Sequence, residues 1–128
     1  MIYVDTSALM KLVWPEQGTE AADAFIGDRE DLVSSTLLTV EARRAAARVE
    51  PAALPRVDLL LGRVELIHMS DAVIETASRL PDPMLHSLNA IHLATALLIR
   101  DDLDVLLSYD DRLLAAASAH GLPTATPA

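Results

Sequence analysis

Four short apolar runs, separated by segments with helical periodicity, constrain the fold of this 128-residue chain more than any other feature. The runs predict buried strands, and they read MIYV (1–4), DLVSS (31–35), VELIHM (64–69) and DVLLSY (104–109). Strands that alternate with helices form parallel sheets covered on both faces. With PTATPA (123–128) as a further edge strand, the sequence predicts an α/β fold of three layers, whose mostly parallel sheet has four or five strands.

The segments between the strands predict the helices. Thr6 begins the first, Pro15 ends it or opens the second, and Ser35 or Thr36 and Ser70 are expected helix caps. The predicted helices read SALMKLVW (7–14), EQGTEAADAFIG (16–27), LLTVEARRAAARVE (37–50), PAALPRVDLLLG (51–62), DAVIETASRL (71–80), HSLNAIHLATALL (86–98) and DDRLLAAASAHG (110–121). The sixth is apolar on almost every side, which predicts a buried helix.

Composition narrows the class of protein. A chain of this length is expected to form one domain, residues 1–128, and to bury roughly 68% of its unfolded surface. It contains no cysteine, which excludes disulfides and thiolate zinc sites and makes a reducing cytoplasm the expected setting. The N-terminal residues lack the pattern of a signal peptide, and no apolar run is long enough to span a membrane.

The net charge of −9, from 19 acidic and 10 basic residues, argues against a general nucleic-acid-binding surface. Any chemistry on nucleic acid therefore requires metal ions and a local basic patch. Lys11 is the only lysine, so that patch has to be built from arginines.

Three acidic residues and one asparagine stand in the sequence where a ligand site at the end of the predicted sheet is expected. Asp5 follows the first strand and Asp110 the fourth, Glu41 lies in the helix after the second strand, and Asn89 lies in the first turn of the buried helix. Ligands of open parallel sheets bind beyond the carboxyl ends of the strands. Because buried carboxylates repel one another, a hard divalent cation is the usual means of neutralising such a group.

Each of these residues also has a purely structural explanation. Asp5 and Asp110 stand where helix N-caps are expected, and Asn89 or Ser87 could simply begin its helix. Glu41 has arginines at helical spacing and could belong to a solvent-exposed ion pair. The joint pattern is harder to explain in this way than any single residue.

Four segments together resemble the PIN domain and, more narrowly, the VapC-type toxins of bacterial toxin–antitoxin pairs. They read MIYVDTSAL (1–9), TVEARRA (39–45), HSLNAIHLATAL (86–97) and LLSYDDRL (106–113), in the family's order and spacing. The resemblance covers essentially the whole chain. It implies a Mg²⁺- or Mn²⁺-dependent endoribonuclease that leaves a 5′-phosphate and a 3′-hydroxyl on structured RNA of the tRNA or rRNA class.

The resemblance places the active site on Asp5, Glu41, Asn89 and Asp110, with Asp5, Asn89 and Asp110 as metal ligands. At position 89 the family has Asp, whereas this chain has Asn. The amide keeps the shape of the carboxylate but lacks its charge, which implies weakened or absent turnover. The substitution has either been engineered or arisen in a natural, degenerate member, and the intact state of the other segments favours the first origin.

The resemblance also implies partners: a small VapB-type antitoxin that covers the active site, the RNA substrate and a second copy in a homodimer. It implies no membrane, and contact with DNA only through the antitoxin.

Several further residues are candidates for the site, each with an alternative role. Thr6 and Ser7 can orient Asp5 or contact phosphate, with helix capping as the favoured alternative. Arg44, Arg48 and Arg112 can steer RNA, and the alternative for Arg44 and Arg48 is an ordinary solvent-exposed helix face. Ser108 can bond Asp110 or a metal-bound water, or be satisfied by a neighbouring loop. His92 is favoured as a packed, hydrogen-bonded core histidine over a catalytic base.

Two other classes of function compete with the nuclease. A PIN-like module that binds RNA or the antitoxin without turnover would explain the missing carboxylate. A phosphatase or receiver domain fits poorly, because Ser7 stands where the phosphatase pattern needs a second Asp and the only lysine lies early in the chain.

Overall fold

The computed structural model describes all 128 residues and contains one five-stranded, wholly parallel sheet. The strands are β1 (Ile2–Val4), β2 (Leu32–Ser35), β3 (Val64–Ile67), β4 (Val105–Leu107) and β5 (Thr124–Ala125), in the order β3-β2-β1-β4-β5. All five predicted strands are therefore present, including the short edge strand near the C-terminus. The predicted α/β fold is confirmed.

Seven α-helices connect and cover the strands. They are α1 (Thr6–Lys11), α2 (Thr19–Ile26), α3 (Leu37–Val49), α4 (Leu54–Leu61), α5 (Asp71–Ser78), α6 (Ser87–Leu98) and α7 (Asp111–Ala119), with 3₁₀ turns at Pro51–Ala53 and Arg100–Asp102. None of these helices combines the length and the apolarity needed to cross a membrane.

Alternation along the strands builds two hydrophobic cores, one on each face of the sheet. Ile2 and Val4 pack with residues from α1 to α4, whereas the fully buried Tyr3 points to the other face. There it packs with Leu93 of α6 and Leu113 of α7. Successive strand side chains point to opposite faces, so three residues of β1 supply both cores and the predicted three layers follow.

The central position of β1 creates a topological switch point. The chain proceeds from β1 to β2 and β3 on one side, and later adds β4 and β5 on the other. In such sheets a crevice opens beyond the carboxyl ends of the two strands where the order reverses. Asp5 directly follows β1, and Ser108 directly follows β4, so both lie at this crevice.

Three helix predictions need correction. The second helix begins at Thr19, because Gly18 at its N-cap adopts a left-handed conformation (φ 93°) that a turn after Pro15 requires. The segment 51–62 is divided into a 3₁₀ turn and α4. The sixth helix is only partly buried, since Leu88 and Leu98 are exposed.

The caps differ in part from the prediction. Ser70 caps α5 through its hydroxyl, as predicted. Before α3, the Ser35 hydroxyl accepts a hydrogen bond from the backbone N–H of Leu37, while the side chain of Thr36 makes no cap.

Candidate active site

Asp5 is held at the end of β1 by four polar contacts. Its Oδ1 accepts hydrogen bonds from the backbone N–H of Ala8 (2.9 Å) and from Ser7 Oγ (2.7 Å), and Oδ2 accepts one from Ser108 Oγ (2.7 Å). Ser7 Oγ also lies 3.0 Å from Oδ2. The residue is 3% exposed, and burial raises the pKa of its carboxyl even though these donors oppose the shift. Asp5 is thus both the N-cap of α1 and a buried acid at the switch point.

Ser108 joins the first acid to the fourth. It donates to Asp5 and accepts a hydrogen bond from the backbone N–H of Asp110 at 3.0 Å. The prediction that it bonds Asp110 is confirmed through the backbone, and the contact with Asp5 is additional. A fully buried serine between β4 and α7 therefore ties the Asp5 carboxylate to the backbone at Asp110.

The two carboxylate oxygens of Asp110 have different partners: one caps a helix and the other bonds a residue of the candidate site. Oδ1 caps α7 by accepting from the backbone N–H groups of Arg112 and Leu113, and Oδ2 accepts from Asn89 Nδ2 at 3.2 Å. Burial acts to raise the pKa of Asp110, but these donors and the positive charge of Arg112 outweigh it and hold the pKa below its ordinary value. One oxygen is therefore free of the helix and bonded instead to Asn89.

Asn89 does not cap its helix. His86 is the N-cap residue of α6 and makes no side-chain cap, while Asn89 points its amide to Asp110. The explanation of Asn89 as an ordinary helix start is therefore wrong, whereas Ser87 is the first residue of α6, as the alternative expected. Because a carboxylate cannot donate this hydrogen bond, the contact is specific to Asn at this position.

Glu41 enters the same edge of the sheet from α3. Its Oε1 accepts from Thr6 Oγ1 (2.7 Å) and contacts His92 Nε2 (2.7 Å). Burial acts to raise the pKa of Glu41, but the hydrogen bonds from His92 and Thr6 hold it below its ordinary value. No ion pair with Arg44 or Arg48 forms, so that alternative for Glu41 is wrong.

Sequence reasoning missed the pairing of His92 with Glu41. His92 is 2% exposed and also lies 2.7 Å from Tyr3 through Nδ1 and the phenol oxygen. The prediction of a packed, hydrogen-bonded core histidine is confirmed, but its partners were not foreseen. A polar residue on an apolar helix needs a partner, and Tyr3 in a buried strand was the available signal.

Thr6 and Ser7 form hydrogen bonds with acidic side chains of the site rather than capping a helix. Thr6 donates to Glu41, and Ser7 bonds Asp5 while accepting from the backbone N–H of Tyr109 at 2.8 Å. The expectation that capping is their main role is wrong, because Asp5 takes the cap itself. Their expected role in orienting an acid is confirmed for Ser7, whereas contact with phosphate stays a prediction.

The three arginines predicted to steer RNA share one property. Arg44, Arg48 and Arg112 are exposed, and none of their side chains makes a hydrogen bond or an ion pair. The other six arginines of the protein form hydrogen bonds with acidic side chains or backbone carbonyls. Arg112 lies beside Asp110, and Arg48 lies about 10 Å beyond Glu41 along α3 at a rise of about 1.5 Å per residue.

The oxygen donors of this site suit a hard divalent cation, but their number is reduced. No three Asp, Glu, His or Cys side chains converge as a metal-binding group. Asp5 and Asp110 remain as two carboxylates at the ends of adjacent strands, with Ser108 bonding the carboxylate of Asp5 and the backbone N–H of Asp110. Mg²⁺ needs only one or two carboxylates together with water and phosphate oxygens. The residues therefore fit one cation, with the carbonyl oxygen of Asn89 as a neutral third donor.

Fold and site together define an α/β protein with an acidic, oxygen-lined site at the switch point of a parallel sheet. Within that class the chain belongs to the PIN domain family, whose sequence model matches residues 2–119. It is a VapC-type member of the family: it is 40% identical over 131 residues to Ribonuclease VapC35 of Mycobacterium tuberculosis, covering 99% of this chain and 97% of that protein. It is 34% identical over 126 residues to Ribonuclease VapC46 of the same organism, covering 98% of this chain and 97% of that protein.

Solved structures share the fold. A toxin–antitoxin complex from Klebsiella pneumoniae superposes with a TM-score of 0.76 at 22% identity, covering 100% of this chain and 98% of that chain. Mycobacterium tuberculosis VapC20, described as a sarcin-ricin loop cleaving toxin, superposes with a TM-score of 0.74 at 17% identity, covering 95% and 96%. VapBC2 of Rickettsia felis, bound to a promoter DNA fragment, gives 0.73 at 12% identity over the full length of both chains.

Proposed function

We propose that this chain, as a single domain of residues 1–128, is the ribonuclease toxin of a toxin–antitoxin pair. The reaction is Mg²⁺- or Mn²⁺-dependent hydrolysis of a phosphodiester in structured RNA, weakened or abolished by Asn89. The observation that carries the proposal is the placement of Asp5 and Asp110 at the ends of adjacent parallel strands. Ser108 bonds the carboxylate of Asp5 and the backbone N–H of Asp110, and Asn89 bonds the carboxylate of Asp110. The ribonuclease names of the relatives support the activity.

The side chains divide the work of such a site. Asp5 and Asp110 would hold the cation, with Ser7 and Ser108 fixing the orientation of Asp5. When bound, a divalent cation supplies Lewis acidity toward water and phosphate oxygens. Glu41 would accept a proton from the attacking water, because its carboxylate is ionised and only one of its oxygens is bonded.

The partners are proposed from the relatives and neighbours. Two of the structural neighbours are toxin–antitoxin or VapBC assemblies, which supports a VapB-type antitoxin and contact with DNA only through it. VapC20 is described as cleaving the sarcin-ricin loop, which supports structured RNA as the substrate class. A homodimer and a cytoplasmic setting complete the proposal; the absence of cysteine suits the latter.

A second candidate function is a PIN-like module that binds RNA or antitoxin without turnover. The hydrogen bond from Asn89 to Asp110 favours it, because this contact occupies an oxygen that a cation would need. Sequencing of cleaved RNA ends from cells that express the Asn89→Asp variant separates the two candidates. Discrete new 5′-phosphate ends support the nuclease, and an end profile equal to that of uninduced cells supports the binding module.

The unpaired arginines give a prediction for RNA binding by the unaltered chain. Replacing Arg44, Arg48 or Arg112 with Ala is expected to weaken binding and to lower the slope of log K against log salt by about 0.7 for each phosphate that the arginine neutralises. Arg43→Ala is the matched control, because Arg43 precedes Arg44 on α3 but pairs with Asp58. Equal salt slopes in all four variants and the parent would exclude these arginines from the RNA surface.

A further inference from the structure

A buried chain of hydrogen bonds reaches Glu41 from the opposite face of the sheet. The phenol oxygen of Tyr3 lies 2.7 Å from His92 Nδ1, and His92 Nε2 lies 2.7 Å from Glu41 Oε1. The Tyr3 and His92 rings pack edge to face at 5.8 Å and 81°. Tyr3 belongs to β1, His92 to α6 and Glu41 to α3, so the chain of bonds ties together three elements that the sequence separates by up to 89 residues.

The positions of the protons along this series of hydrogen bonds follow from Tyr3 at one end and Glu41 at the other. Burial raises the pKa of Tyr3, so its phenol keeps its proton at neutral pH and can donate it to Nδ1. Glu41 is ionised at neutral pH and can only accept. His92 is therefore expected to carry a proton on Nε2, because the ionised Glu41 carboxylate can only accept in the contact between them.

The two donors to Glu41 converge on one of its oxygens. Thr6 and His92 both bond Oε1, whereas Oε2 makes no hydrogen bond within the protein. Two bonds from different helices to the same oxygen fix the rotation of the carboxyl group. The partly buried side chain of Glu41, otherwise free to turn about its bonds, is thereby held with Oε2 as the oxygen that has no hydrogen-bond partner in the protein.

We propose that His92, oriented by Tyr3, is a positioning residue that fixes Glu41 so that Oε2 serves as its working oxygen. The inference rests on the proposed ribonuclease function, since it assigns Glu41 a partner in that reaction. His92 itself contacts no reacting atom: its ring lies behind Glu41, at 2% exposure. Its effect is therefore on turnover rather than on the capture of RNA.

The first test uses the unaltered chain and requires no activity. Long-range ¹⁵N–¹H correlation spectra of the histidine rings are expected to show His92 protonated on Nε2. A ring protonated on Nδ1 alone would overturn the proposal. His120, at the far end of α7, provides a reference in the same spectrum.

The second test measures kinetics in the Asn89→Asp background. His92→Leu is expected to lower kcat by about 10- to 100-fold, as removal of an outer partner of a metal-site residue typically does, with KM for RNA within about twofold. His120→Leu is the matched control and should leave both constants unchanged. A folded His92→Leu variant with unchanged kcat, or with a change confined to KM, would overturn the proposal.

The third test guards against loss of fold. His92→Leu removes the His92 partner of the buried Tyr3 hydroxyl, whereas the double variant Tyr3→Phe/His92→Leu removes both polar groups and is expected to melt closer to the parent. It should show the same loss of kcat. A double variant that restores kcat would assign the effect of the single variant to folding. If Asn89→Asp itself has no activity, the proposed function fails, while the tautomer spectrum still decides whether His92 donates to Glu41.

Discussion

The Asn89→Asp variant is expected to gain metal-dependent endoribonuclease activity that the unaltered chain lacks or shows only weakly. The substitution restores a third carboxylate beside Asp5 and Asp110, so a divalent cation is bound by full charges rather than by an amide dipole. It also frees Asp110 Oδ2, which now accepts from Asn89 Nδ2. We expect a gain of at least 10- to 100-fold in cleavage, about the typical cost of removing even an outer partner of a metal.

The same variant is expected to be less stable without metal. It lacks the amide donor to Asp110, and it places a second negative charge about as far from Asp110 Oδ2 as Asn89 Nδ2 lies in the parent. Together these changes cost about 1–3 kcal/mol. Added Mn²⁺ should then raise its Tm more than that of the parent, because a ligand that binds only the folded state stabilises that state. Paired thermal melts and RNA cleavage assays of both forms, with chelator or Mn²⁺, measure both effects.

Gln17→Glu is the matched control for charge. It adds one negative charge at an exposed position in the turn before α2, and Gln17 makes no hydrogen bond to Asp5, Asn89 or Asp110. It should neither gain activity nor respond to Mn²⁺ beyond the parent. Equal cleavage by the parent and by the Asn89→Asp variant would show that position 89 is not a metal ligand.

The parts of the fold that were predictable follow from strict periodicities. Alternation of apolar strands with amphipathic helices determined the parallel sheet, and Asp5 and Asp110 could be assigned to one edge because both follow strands. Asp5, Asp110 and Ser70 were correctly expected to cap helices, since an acid or hydroxyl directly before an apolar periodic segment has few other local roles.

The contacts between distant segments were not predictable. Thr6 and Ser7 resemble helix-start residues, and only the three-dimensional approach of α3 and of Tyr109 shows that they bond Glu41 and Asp5. Helical spacing indicates an arginine partner for Glu41 on its own helix, but the partner is His92, 51 residues away. Local spacing carries no information on such pairs.

Replacing Asp5 with Asn is expected to abolish both the Mn²⁺-dependent rise in Tm and RNA cleavage in the Asn89→Asp background. In the metal-free parent, the same substitution is expected to stabilise the fold at neutral pH. Burial raises the pKa of Asp5, so the folded state favours the neutral carboxyl and the ionised form costs stability. Asn resembles that neutral form in shape and charge, and each unit of pKa difference is worth about 1.4 kcal/mol.

The pH dependence of this gain has a definite sign. For an acid whose pKa is raised on folding, the penalty is absent below the unfolded pKa of about 3.9 and develops as the pH rises through the folded value. The difference in Tm between Asp5→Asn and the parent, measured in chelator, should therefore vanish toward acid pH and grow toward neutral pH, at about 4 °C or more per kcal/mol. Asp101→Asn, an exposed control in the 3₁₀ turn before β4, should show no such trend. If Asp5→Asn instead melts below the parent at neutral pH, the bonds from Ser7, Ser108 and Ala8 outweigh desolvation, and Asp5 is held in place without any need for a cation.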